Sequence, residues 1–182
     1  MAAMNKLILI ETSTSLCSVA LAENGTVTAY RESSAPKAHA SLTAVFIQEV
    51  LAERGLELAD CDAICVSKGP GSYTGLRVGV STAKGLCFGS GQPLIAVGTL
   101  DTLVAQATGE YKFIIPMIDA RRMEVYSAVF ENGVQISETA PVIVDETSFA
   151  EYIEQGPCLF IGDGAGKCAD IIRHPNRPEG QK

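Results

Sequence analysis

The triplet Glu23-Asn24-Gly25, at the end of Cys17-Ser-Val-Ala-Leu-Ala-Glu-Asn-Gly25, returns 108 residues later as Glu131-Asn132-Gly133. Asn-Gly supplies two adjacent residues that tolerate positive φ, which is the signal of a two-residue hairpin turn. Outward from the first copy, Leu7–Thr12 and Cys17–Ala22 read as strands joined by a Ser/Thr-rich turn, and Thr26–Arg31 as the returning strand. Outward from the second, Phe113–Ala120, Glu124–Phe130 and Val134–Ser137 read the same way. At the same offset Ile10-Glu11 falls on Ile118-Asp119 and Ala20 on Ala128. A strand-to-glycine step also recurs. Ile64-Cys-Val-Ser67 leads into Lys68-Gly-Pro-Gly71, and Leu159-Phe-Ile161 into Gly162-Asp-Gly164. The expectation is one unit, a β-meander followed by helices, present twice.

Between these markers, Ala40–Arg54 carries Leu42, Val45, Phe46 and Val50 at helical spacing and is closed by Gly55. Ala63–Ser67 reads as a buried strand, 74–88 as a helix, Leu94–Val97 as a strand, and a further helix starts at Leu100. The predicted fold is α/β, with each half placing three antiparallel strands beside parallel ones and helices on the faces. This arrangement resembles the duplicated, ribonuclease-H-like fold of actin, hexokinase and the chaperone ATPases. The predicted lobes are 5–109 and 110–182, the second truncated. Fold alone fixes no chemistry.

Composition bounds the function. Of 182 residues 47% are hydrophobic and 19% charged, the balance of a globular chain. No apolar run approaches the roughly 20 residues of a membrane span, and Leu7–Ile10 is too short for a signal peptide. Six cysteines without framework spacing read as reduced core thiols of a cytoplasmic protein. Cys61 and Cys65 are not matched by a second pair that would complete a zinc site. The formal net charge of −7 means that a polyphosphate partner would need positive surface from another subunit.

Candidate chemistry is sparse. The turn Gly69-Pro-Gly71-Ser72-Tyr-Thr-Gly75 lets backbone approach a ligand at a helix start, so Gly69, Gly71 and Ser72 are candidate nucleotide or anion contacts, with the strand-end acids Glu11 and Asp119. The competing reading is a tight strand-to-helix turn, with Asp119 paired to Arg121 or Arg122. The pattern is not a P-loop, because Leu76-Arg77 follows Gly75 where Lys-Ser/Thr is required. Gly162–Cys168 fails likewise. His39 is followed four residues on by Thr43, so no helical His pair forms, and His174 lies in a polar tail. No Gly-x-Ser-x-Gly elbow occurs. Gly75, Gly79 and Ala83 make a stripe of small residues along one helix. Either it packs on the protein's own sheet, or, with Arg77, Val80, Leu42, Val45 and Phe46, it forms a contact with another subunit.

Gly69-Pro-Gly-Ser-Tyr-Thr-Gly-Leu-Arg-Val-Gly-Val-Ser-Thr-Ala-Lys-Gly-Leu86 resembles the signature of the bacterial tRNA threonylcarbamoyladenosine biosynthesis family TsaB, formerly YeaZ, a glycoprotease-like family. So do Ile8-Leu-Ile-Glu-Thr-Ser-Thr14, Ile118-Asp-Ala-Arg-Arg-Met-Glu-Val-Tyr126 and Gly162-Asp-Gly164. The resemblance spans about residues 6–172. It implies a non-catalytic paralogue of the metal-binding transferase TsaD, without catalytic or metal residues of its own. His39-Ala-Ser-Leu-Thr43 stands where TsaD-like enzymes carry a His-x-x-x-His metal pair. It further implies pairing with a TsaD-like protein through N-terminal helices, a TsaE-like ATPase as third component, tRNA contacted through the complex, and ATP or ADP at the shared interface. A homodimer through the same faces is compatible with this reading, and a hydrolase or small-molecule kinase of the same fold is the alternative. Family members run further beyond Gly162-Asp-Gly164 than this chain, so the last strand and helix of the second repeat are expected to be missing.

Overall fold

The computed structural model describes residues 5–173. The polar tail with His174 lies outside the described residues. In the first lobe, β1 (Lys6–Glu11), β2 (Cys17–Glu23) and β3 (Thr26–Ser33) form an antiparallel meander. Asn24 and Gly25 take the positive φ that the hairpin requires. Helix α1 (Ala38–Glu53) crosses over to β4 (Ala63–Ser67), which lies parallel to β1. Helix α2 (Tyr73–Ser90) then leads to β5 (Leu94–Val97), parallel to β4. The sheet order is β3-β2-β1-β4-β5. Gly91 ends α2 in the left-handed region, donating its N–H to Cys87 O at 2.9 Å.

Strand alternation and helix period meet on one face of this sheet. Ile8, Ile10, Val19, Leu21, Ile64 and Val66 pack under Phe46, Ile47, Val50 and Leu51 of α1 and Ala83 of α2. Arg31 of edge strand β3 binds Glu49 and Glu53 of α1 at 2.9 and 2.8 Å.

The second lobe begins with α3 (Thr99–Ala105), which packs on β6 (Phe113–Asp119). The division therefore falls between Gly98 and Thr99, not at the expected 109/110. The expected strand Glu124–Phe130 is broken into β7 (Glu124–Ser127) and β8 (Phe130–Glu131). The expected return strand Val134–Ser137 is shortened to β9 (Val134–Gln135), and an unforeseen strand beyond it, β10 (Ala140–Ile143), pairs with β7. After α4 (Ala150–Ile153), β11 (Cys158–Ile161) pairs parallel with β6. Among the described residues no fifth strand follows it.

The duplication is real but its register differs by one residue from the reading at offset 108. In the first lobe Ile10 pairs with Val19 beneath α1. In the second, Met117 pairs with Ser127, and Met117 packs with Ile115 under α4. Met117 therefore corresponds to Ile10, Ile118 to Glu11 and Asp119 to Thr12. The cause lies in the connecting turn: eight residues separate the paired Ile10 and Val19, whereas nine separate the paired Met117 and Ser127. A one-residue change in a turn moves every following side chain to the other face unless the strand ends compensate.

Candidate functional site

At the end of β1 the chain turns through Thr12 and Ser13, and α2 lies directly on this turn. A Cβ at Gly71 would overlap Ser13 O, one at Gly75 would overlap Thr12 O, and one at Gly79 would overlap Thr12 Oγ1. The stripe of small residues thus packs on the protein's own strand end, and Ala83 below it is fully buried. Gly75, Gly79 and Ala83 are corrected accordingly: they are not a surface for another subunit. Close approach of helix and turn is what these glycines permit.

The same turn engages two backbone donors at the start of α2 within the protein. Ser72 N–H donates to Ser13 O at 2.6 Å, and Gly75 N–H donates to the capping Ser72 Oγ at 3.3 Å. Gly69, at φ 102, precedes a cis bond to Pro70. Glu11 accepts from Ser13 N–H at 2.6 Å through one oxygen and from Ser67 Oγ through the other. Glu11 and Ser72 are tied into the strand-to-helix joint that Gly69 and Gly71 allow to close on Ser13. Thr12 Oγ1 and Ser13 Oγ are buried without a hydrogen-bond partner among the described residues, Thr12 because its hydroxyl lies against the Gly79 backbone.

His39 Nε2 donates to Thr14 O at 2.9 Å, holding α1 to the same turn. Thr43 Oγ1 donates to His39 O at 2.6 Å and contacts Cys17 Sγ at 3.4 Å. Among the described residues no three His, Cys, Asp or Glu side chains converge on a point.

In the second lobe Asp119 is held by Lys167, not by Arg121 or Arg122 as expected. Lys167 Nζ donates to Asp119 Oδ1, and also to Arg122 O at 2.8 Å and Glu124 O at 2.7 Å. The turn can offer these carbonyls because Arg121 and Arg122 are both left-handed, at φ 70 and 45. The Lys167 ammonium holds the Asp119 carboxyl below the usual carboxylate range; burial opposes it by less, and the Arg121 N–H adds a smaller lowering. Asp119 N–H is itself taken by Asp163 Oδ1 at 2.9 Å. The acid locks its own hairpin.

The outer face of the two first-lobe helices is different. α1 and α2 pack side by side. Along α2, Tyr73, Arg77, Ser81, Lys84 and Phe88 recur at spacings of three and four and are exposed. Phe88 is 95% exposed and Tyr73 69%, with the Arg77 guanidinium 4.4 Å from the Tyr73 ring centroid. On α1, Val45 is 41% exposed. Of the sequence-derived interface residues, Val45 and Arg77 reach this surface, Leu42 and Val80 are half-buried against the core, and Phe46 is buried. Tyr73 and Phe88 were missing from that set. Their helical spacing from Arg77 and Lys84 was the available signal.

Two copies of a ribonuclease-H-like sheet, each with its strand-end acid bound by its own chain, define an actin-like α/β protein with an aromatic-bearing helical surface. The profile of the TsaD family, described as tRNA N6-adenosine threonylcarbamoyltransferase, matches residues 31–155. The chain is 35% identical over 167 residues to the tRNA threonylcarbamoyladenosine biosynthesis protein TsaB of Escherichia coli, covering 87% of this chain and 71% of that protein. It is 42% identical over 123 residues to the TsaB of Haemophilus influenzae, covering 66% of this chain and 51% of that protein. YeaZ from Pseudomonas aeruginosa superposes with a TM-score of 0.80 at 28% identity, covering 97% of this chain and 84% of that one. The chain belongs to the TsaB family of tRNA threonylcarbamoyladenosine biosynthesis proteins.

Proposed function

We propose that this chain is a non-catalytic subunit in the threonylcarbamoyl modification of tRNA, acting by pairing with a TsaD-like catalytic paralogue. The observation that carries the reading is the exposure of large apolar side chains on the two packed helices, Phe88 and Tyr73 on α2 and Val45 on α1. Covering each such side chain contributes roughly 1.5–3 kcal/mol. Aromatic and arginine side chains on one face are the usual anchors of a protein interface. The engagement of the strand-end acids supports the same reading, Glu11 accepting from Ser13 N–H and Ser67 Oγ, and Asp119 from Lys167 and Arg121 N–H through Oδ1. With a net charge of −7 this subunit contributes little to tRNA attraction, so the partner supplies the positive surface. A TsaE-like ATPase joins the pair, and ATP or ADP binds at the shared interface, not on this chain alone.

Titration of a TsaD-like paralogue tests the reading. The wild-type chain binds, and Phe88→Glu weakens binding at least tenfold. With partner, ATPase and substrates added, threonylcarbamoyladenosine appears in digested tRNA by mass spectrometry, and omitting this chain abolishes it. Modification by this chain alone, or no association with the paralogue, overturns the proposal. A homodimer that competes with the paralogue and is broken by Phe88→Glu would place the same face in both assemblies.

A further inference from the structure

Acids outnumber Lys and Arg by 21 to 14 in this chain, yet α2 contains no Asp or Glu at all. Its two charges, Arg77 and Lys84, are both exposed and share the side of the helix that carries Tyr73 and Phe88. Among the described residues neither makes an ion pair. Those of the first lobe lie elsewhere, Arg31 with Glu49 and Glu53, and Arg54 with Glu23. Glu49 and Glu53 are the acids of the neighbouring helix α1, so both are already engaged with strand β3. The outer surface of the helix pair is thus apolar at Val45, Tyr73 and Phe88 and carries positive charge that the chain itself leaves uncompensated.

We propose that Arg77 and Lys84 decide which partner this surface takes, fitting it to a helix that bears two carboxylates at a seven-residue spacing beside an apolar ridge. The inference rests on the reading of α1 and α2 as the partner surface and names the chemistry of that partner. Spacing sets the match. Arg77 and Lys84 are seven positions apart, two turns of helix or roughly 10 Å. Acids at i and i+7 of a helix lying alongside α2 repeat that distance. The guanidinium is already placed, because Arg77 stacks over the Tyr73 ring at 4.4 Å from its centroid. An arginine so held loses little side-chain freedom when a carboxylate meets it, and its planar fork takes that carboxylate through two hydrogen bonds.

The same charges disfavour a second copy as the occupant. In a twofold pairing both copies present the same patch. Arg77 and Lys84 would then meet their own counterparts, or an α1 whose acids Arg31 already holds. Like charges brought together are a cost that an acidic partner does not incur. A homodimer on this surface is the weaker assembly, and two side chains carry the difference. Charges at such a rim act mainly on the association rate and its salt dependence.

The test titrates the full chain against the TsaD-like paralogue of the same organism by surface plasmon resonance, and follows self-association by sedimentation equilibrium. Arg77→Gln/Lys84→Gln should weaken heteroassociation about tenfold, chiefly through slower association, and flatten the dependence of affinity on salt. It should leave self-association unchanged or tighter. Both positions are exposed, so the double variant should keep the wild-type circular dichroism and melting. In the wild-type complex a carbodiimide should join Lys84 to an Asp or Glu of the paralogue, read by peptide mass spectrometry. Lys84→Arg keeps the charge, so its complex should form and lack that product. Wild-type affinity and salt dependence in the double variant, or self-association weakened as much as heteroassociation, overturns the proposal. So does a formed complex without the Lys84 cross-link. If Phe88→Glu still abolishes binding in those cases, the partner surface stands and its charge selectivity falls. If the wild-type chain does not bind the paralogue, both fall.

Discussion

A methyl group added at Gly79 would overlap Thr12 Oγ1, whereas one added at Gly85 on the same helix meets nothing within 4 Å. Gly-to-Ala in a helix interior is favourable by about 1 kcal/mol, but inserting volume into a closed contact typically costs about 1–3 kcal/mol. Gly85→Ala should therefore stabilise the protein by about 0.5–1 kcal/mol and Gly79→Ala destabilise it by about 1–2 kcal/mol, as urea melts would measure. Equal effects at the two sites would mean that the α2–Thr12 contact is looser than described. The Asp119–Lys167 pair yields a pH signature. Asp119 has a lowered folded-state pKa, chiefly through Lys167, so its stabilisation is present above the unfolded pKa, near 3.9, and is lost as pH falls through the folded value. Lys167→Met should cost stability at neutral pH, because Arg122 O and Glu124 O lose their donor as well. The difference from wild type should shrink below about pH 4. A gap that is the same at pH 3 as at pH 7 would remove Asp119 from the account.

Two phenylalanines show how far element reading carries. Phe46 lies on the buried ridge of α1 and Phe88 stands 95% exposed in the last turn of α2. Phe46→Ala should lose about 3–5 kcal/mol of stability. Phe88→Glu should change stability by less than about 0.5 kcal/mol while weakening partner binding tenfold or more, read by parallel melts and titrations. The period of α1 is legible in sequence because its apolar residues recur at three and four. Which side of α2 is buried was less so, since the buried stripe holds Gly75, Gly79 and Ala83 and the exposed stripe holds the aromatics. A hydrophobicity pattern points such a helix the wrong way round, and only the closeness of the Thr12 turn corrects it. The breaks in the second hairpin and the strand β10 were illegible for another reason. Register is set by turn length, and one residue more between the paired strands leaves no mark in composition. Lys167 was unread as the partner of Asp119 because 48 residues separate them, while two arginines lay adjacent.

Two copies of one architecture need not be equally stable, and here the helical cover differs. The first sheet carries helices of 16 and 18 residues, whereas those of the second lobe have 7 and 4, and two of its strands have only two residues each. Long helices hold more apolar ridge against a sheet, and segments with little burial open at lower free energy. Buried thiols report such opening separately in each lobe: Cys17 and Cys61 in the first, Cys158 and Cys168 in the second. Burial pushes the Cys158 thiol up to about 11, so in the closed protein it is both covered and protonated at neutral pH. In rising urea, alkylation followed by mass spectrometry should label Cys158 and Cys168 before Cys17 and Cys61, with the half-buried Cys65 and Cys87 labelled from the start. If the four buried thiols react together across one transition, the lobes unfold as a single cooperative unit and the shorter helices of the second are compensated by packing elsewhere.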